Sequence, residues 1–119
     1  MNAMQGGHFD FDIQETDQVA VVHVRGSAGM AEAEIMTEQL GRLADRQIPL
    51  IVLDLSQMDF ISSMGLGAII TGHLKSRHHN GQIRLVNPQP PVRQLLETTR
   101  LTKLFPVYES VDKAMETSR

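Results

Sequence analysis

A single α/β domain built on a mixed sheet is the fold class that three features of the sequence predict. The chain opens on two strand patterns separated by only a short turn, it then alternates helical with strand patterns, and apolar residues make up 41% of its 119 residues and occur in every segment. Strands joined by a tight turn must run antiparallel. Strands separated by helices pair in parallel through right-handed crossovers. The expected order is β-β-α-β-α-β-α-β-α, with the helices packed on the sheet.

Each element has its own justification. Phe9, Phe11 and Ile13 alternate with Asp10, Asp12 and Gln14, the period of a half-buried strand, and Thr16-Asp17 turns the chain into a second strand at 19–24. After Gly26-Ser-Ala-Gly29, the residues Met30, Ala33, Leu40, Leu43 and Ala44 keep helical spacing. Pro49 introduces the apolar run 50–55, a buried strand, which a short polar loop connects to Ser62 and Ser63. From Met64 onward, Leu66, Ile69, Ile70, His73 and Leu74 fall on one helical face, and Asn80-Gly81 ends that helix. A fourth strand at 82–86 follows. Asn87 is the expected N-cap of a third helix carrying Val92, Leu95 and Leu96, with Pro88, Pro90 and Pro91 at its start. Leu101, Leu104 and Phe105 lead to a short strand at 107–108, and Ser110 caps a last helix that turns Val111, Ala114 and Met115 inward. The expected core holds Phe9, Phe11, Val22, Val24, Ile51, Leu53, Ile69, Ile70, Leu85, Leu95 and Leu96.

Bulk composition excludes several function classes. Eleven basic against 14 acidic residues, spread along the chain for a net charge of -3, lack the clustered cationic face that nucleic acid requires. No apolar run approaches the roughly 18 residues of a membrane span, so no direct membrane insertion is expected. Cysteine is absent, and the first residues show no basic stretch followed by an apolar one, which together predict a cytoplasmic protein. No nucleophile–base–acid set, phosphate-binding glycine loop or paired carboxylates stand out, so neither catalysis nor a cofactor is expected. His78 and His79 are adjacent, so on a helix they point in different directions; cations near a helix C-terminus explain them better than a metal site does.

What remains is the pair Ser62-Ser63 ahead of Met64-Gly-Leu-Gly67. A helix N-terminus offers unpaired N–H groups and the positive end of the helix dipole, so a phosphate on such a serine is compatible with the fold. Capping alone explains one serine, at about 1 kcal/mol, but not two. Asp54, at the end of a buried strand, invites comparison with the phosphoaspartate of a response-regulator receiver. A receiver, however, opens with a strand leading directly to an acidic pair and a helix, and it carries Lys-Pro near its last strand. Here the first strand leads to another strand and Lys103 is followed by Leu104. Ordering the following residues by accepting backbone N–H bonds is the better account of Asp54.

The element order, with Asp54-Leu-Ser-Gln-Met-Asp-Phe-Ile-Ser-Ser-Met-Gly-Leu-Gly67, Arg84-Leu-Val-Asn87, the stretch 92–105 and Val111-Asp-Lys-Ala-Met115, resembles the STAS domain. More narrowly, it resembles the free-standing bacterial anti-sigma-factor antagonists, or anti-anti-sigma factors. The likeness covers nearly the whole chain and implies one STAS domain over 1–119, with 1–7 flexible. With Gly-Leu-Gly in register, the family's phosphorylated serine falls on Ser63, and Ser62, which replaces the acidic residue usual before it, is the second candidate. Gly65 and Gly67 leave backbone uncovered at the helix start and Met64 offers an adaptable apolar contact, so the expected partner surface is Ser62, Ser63, Met64, Gly65 and Leu66 with Gly29 and Met30 beside it, and Asp54 and Asp59 are expected to support the phosphorylation site. The resemblance also implies an anti-sigma factor with serine kinase activity as partner, a metal-dependent serine phosphatase that reverses the modification, and release of a sigma factor by the unphosphorylated form. The alternative within the same fold is a regulatory subunit of a membrane lipid-transport ATPase, acting by constitutive contact. The glycine usual after the third helix is Arg100, where a left-handed cap costs about 1 kcal/mol.

Overall fold

A computed structural model describes residues 9–116; the expected flexibility of residues 1–7 lies outside them. The chain runs β1 (Phe9–Glu15), β2 (Val19–Ala28), α1 (Met30–Asp45), β3 (Leu50–Ile61), α2 (Ser63–Arg77), β4 (Gln82–Val86), α3 (Pro90–Thr98), a 3-10 turn (Leu101–Lys103), β5 (Val107–Tyr108) and α4 (Val111–Met115). This is the expected element order, with the short 3-10 turn added.

The five strands lie in the sheet in sequence order; β1 and β2 are antiparallel and all later pairs parallel. Sequential parallel strands whose crossovers share one hand must place their helices on one face of the sheet. The packing agrees. Met36 and Leu40 of α1, Leu66 and Ile69 of α2, and Val92 and Leu96 of α3 join Val22, Val24, Ile51, Leu53 and Leu85 in one core. On the opposite face Ala114 of α4 packs with Val52 and Val86. There Arg84 donates from Nη1 to the carbonyl oxygens of Ala114 and Glu116, at 2.7 and 3.1 Å, and its guanidinium lies 5.5 Å from the centre of the Tyr108 ring. One side chain thus fastens α4 to the sheet. Because the strand order never reverses, the sheet has no switch point of the kind where doubly wound folds open a ligand crevice.

α1 and α2 lie side by side because both cross over the same face. A Cβ on Gly72 would come 3.1 Å from Cβ of Leu40, so glycine there sets how closely the two helices approach.

The structure corrects several expectations. β2 extends through Gly26-Ser-Ala28, and β3 continues over residues 56–61 where a polar loop was expected. Each completes the other's hydrogen-bond ladder across two register shifts, one of them beside Gly26 at φ 90°. Long-range pairing, invisible to local composition, makes the strand. Asn87 does not cap α3. It takes φ 46° and donates its N–H to the Tyr108 carbonyl, while Gln89 is the N-cap and prolines fill the first helical positions. Leu74 and Met115, expected inside, are 53% and 41% exposed. Phe9, Phe11, Ile70 and Leu95 pack at the margin of the core, half-buried, and the rest of the expected core is buried. Arg100 does adopt the left-handed conformation, φ 64°.

Candidate functional site

Parallel pairing of β2 with β3 brings two helix starts together at one end of the sheet. Ala28 and Ile61 are in register as the last residues of their strands, and the Ser62 N–H donates to the Ala28 carbonyl at 2.9 Å. α1 and α2 therefore begin next to each other, with Gly29 and Ser62 as their N-caps. The Gly29 N–H donates to Glu32 Oε1 at 3.0 Å, which is the glutamate half of a capping box.

The two serines divide their roles. Ser62 Oγ accepts the Gly65 N–H at 3.1 Å and caps α2. Ser63 is the first residue of the helix and is exposed, and its hydroxyl makes no hydrogen bond among the described residues. The N–H groups of Ser63 and Met64 precede the first intrahelical bond, so they point out of the helix end beside that hydroxyl. No acidic residue lies in the first turn of α2, which leaves the positive end of its dipole uncompensated.

The same end of the molecule carries exposed apolar side chains. Met30, Met64 and Phe60 are 70%, 54% and 52% exposed. Met30 and Met64 line a groove of about 400 Å³ between α1 and α2, with Ala33, Thr37, Glu34 and Glu38 along it. Phe60 stands over a smaller depression of about 170 Å³ formed with Asp59, Ile61, Pro91, Val92 and Leu95. Phe60 and Glu34 are the surface residues that sequence reasoning missed. The register shift between Gly26 and Ser27 breaks the alternation of β3 and turns Phe60 outward, and no local pattern signals that shift.

Other expected site residues sit elsewhere. Gly65 is buried, because a Cβ there would lie 2.6 Å from Cγ1 of Ile61; it is needed for helix–strand approach and does not expose backbone. Leu66 is 6% exposed and belongs to the core. Neither reaches the surface, a correction to the expected partner face. Asp59 is at the site's end of β3, where its Oδ1 accepts the Ser27 hydroxyl at 2.8 Å and ties the two strand ends together. Asp54 is not at the site. It lies seven residues before Ile61, about 20 Å along an extended strand, and like Val52 it faces the α4 side of the sheet. Its Oδ1 accepts the Ser56 N–H at 3.0 Å and its Oδ2 lies 2.7 Å from His23 Nδ1. Burial alone would raise the Asp54 carboxyl, but the bonds from Ser56 and the His23 imidazole outweigh it and hold the group below the ordinary carboxylate range. The structural role expected of Asp54 is the one observed.

His73 is buried on the core face of α2. Its Nδ1 accepts the Ile83 N–H at 3.2 Å and its ring meets Phe105 edge-on at 4.8 Å. Burial, with the Arg77 charge, pushes its imidazole below the ordinary histidine value. No group of three or more metal-ligating side chains occurs among the described residues, and none of their helices is long and apolar enough to cross a membrane.

Comparisons with known proteins agree with this fold. The family model for the STAS domain matches residues 10–114. An anti-sigma F factor antagonist of Paenibacillus polymyxa is 28% identical over 98 residues, covering 82% of this chain and 84% of its own length. The crystal structure of an anti-sigma factor antagonist from Mycobacterium paratuberculosis superposes with a TM-score of 0.81 at 29% identity, covering 91% of this chain and 92% of that one. The anti-sigma factor antagonist SpoIIAA in its unphosphorylated form superposes at 0.80 and 18% identity, over 89% and 93% of the two chains, and so shares the fold.

Proposed function

The chain belongs to the STAS domain family, and from that premise we propose that it is an anti-sigma-factor antagonist switched by phosphorylation of Ser63. In its unphosphorylated form it docks an anti-sigma factor with serine kinase activity and so releases a sigma factor. A metal-dependent phosphatase restores the phosphorylated form to this state, and the cycle runs in the cytoplasm. The chain is the substrate of this chemistry and not its catalyst.

The observation that carries the reading is the division of labour at the start of α2. Ser62 is spent on the cap, whereas Ser63 is exposed and its hydroxyl and the N–H groups beside it have no hydrogen-bond partner among the described residues, at the end of the molecule that also carries exposed Met30, Met64 and Phe60. Transfer of a phosphoryl group to Ser63 Oγ leaves the cap intact. The added charge, roughly -1.5 to -2, is tolerated at a solvated helix N-terminus. Beneath a docked partner it must be desolvated, and a loss of about 3 to 4 kcal/mol lowers affinity by about two to three decades.

The test is incubation with the cognate kinase and ATP, followed by peptide mass spectrometry. One phosphate on Ser63, abolished by Ser63→Ala, is the expected result; a phosphate on Ser62 would overturn the assignment. Co-purification with a transport ATPase in place of a kinase-like anti-sigma protein would favour the constitutive subunit instead.

A further inference from the structure

The two ends of α2 carry surfaces that complement each other. One is the groove at the N-terminal end, where Met30 and Met64 are flanked by Glu34 and Glu38 and no Lys or Arg lines the wall. The other is a depression of about 450 Å³ where the last turns of α2 meet the segment before β5. Leu74, Leu104 and Pro106 form its apolar part, Arg77 its charge, and no carboxylate lines it. Lys103, next to Leu104 and exposed, adds a second cation at that edge. Leu74 lies eleven residues beyond Ser63 on the same helix, about 16 Å along the axis, so one molecule cannot bring the two surfaces together.

Among the described residues, four of the seven exposed large apolar side chains are Met30, Met64, Leu74 and Leu104, two on each surface. Among the described residues Glu34, Glu38, Arg77 and Lys103 have no ion-pair partner within their own chain. Each surface therefore offers apolar area together with charge of one sign that has no internal bond to give up.

We propose that these surfaces bind each other in two copies of the chain, with Met30 and Met64 against Leu74 and Leu104, and with Glu34 and Glu38 opposite Arg77 and Lys103. The contact joins different patches, so it is heterologous and propagates head to tail instead of closing into a symmetric dimer. Both patches are small beside the roughly 1,200 Å² at the low end of stable interfaces, so the association is weak and reversible. Charge matching makes it sensitive to salt. The contact covers Met64 beside Ser63, so a self-associated copy has its switch face occluded. The proposal does not depend on which partner that face serves or on phosphorylation.

Sedimentation velocity on the purified full chain tests it, from about 20 µM to about 1 mM and at about 50 and 500 mM salt. The expected result is an average mass that rises with concentration at low salt and falls back toward the monomer at high salt. The double variants Glu34→Gln/Glu38→Gln and Leu74→Asp/Arg77→Gln, all at exposed positions, should each be monomeric. Their equimolar mixture should form a dimer that grows no further, since it retains one intact pair of surfaces. If Leu74→Asp lowers the melting temperature, Lys103→Gln/Leu104→Ser probes the same surface. A wild-type monomer at about 1 mM and low salt, association that persists in either variant, or a mixture that stays monomeric would each overturn the proposal.

Discussion

At the scale of single residues, neighbours in sequence do different work because of where each sits on the helix start. Ser62→Ala removes the bond to the Gly65 N–H and should cost about 1 kcal/mol while leaving phosphorylation on Ser63. Ser63→Ala removes no hydrogen bond among the described residues, so stability should change by less than about 0.5 kcal/mol while labelling is lost. Urea denaturation beside the kinase assay checks both. The two glycines that follow differ in the same way. Gly65→Ala puts a Cβ 2.6 Å from Ile61 Cγ1 and should destabilise by about 1–3 kcal/mol, whereas at Gly67 nothing lies within 4 Å and alanine should stabilise by roughly 0.5–1 kcal/mol. This contrast was not legible in the sequence, where both glycines read as uncovered backbone. Only the returning strand end at Ile61 distinguishes them. The serines were legible, because capping chemistry is local and two hydroxyls exceed what one cap needs.

At the scale of elements, two ionisable side chains hold elements together in a way that depends on pH. His73 accepts the Ile83 N–H through Nδ1 and so fastens α2 to β4 only while that nitrogen is unprotonated. Its folded value lies below its unfolded value of 6.5, so the unfolded chain binds the proton first. Stability from this group is full above about pH 6.5 and is lost as pH falls below it. Asp54 braces β3 through Ser56 and His23, and its folded value is also lowered. Its contribution is present above its unfolded value of 3.8 and is lost as pH falls through the lower folded value. Thermal melts between about pH 7 and 2 should therefore show two steps of acid destabilisation, the first removed in His73→Gln, the second in Asp54→Asn. A first step of unchanged size in His73→Gln would contradict this account. Helix starts and the inner strand cores were readable from periodicity and caps. The outer halves of β2 and β3 were not, because residues such as Ser56, Gln57 and Asp59 become strand only through each other's long-range hydrogen bonds. Asn87 misled for a related reason: its left-handed turn serves the ladder to β5 and not the helix that follows.

At the scale of the whole molecule, the sequential sheet gathers two helix starts at one end, and everything proposed about function depends on that convergence. Ile69, 1% exposed in the core between α2 and the sheet, is part of what holds it; Ile69→Asp buries an unpaired charge and should unfold the domain, as circular dichroism would show. Met64→Ser, at an exposed position, should leave the melting temperature unchanged yet weaken partner binding by roughly tenfold, the loss of one apolar contact. The central claim is that phosphate at Ser63 turns binding off. Calorimetric titration of the purified kinase-type anti-sigma partner with unphosphorylated and with singly phosphorylated protein tests it most directly. The account predicts a dissociation constant about two to three decades larger for the phosphorylated form, and equal constants for the two forms would contradict it.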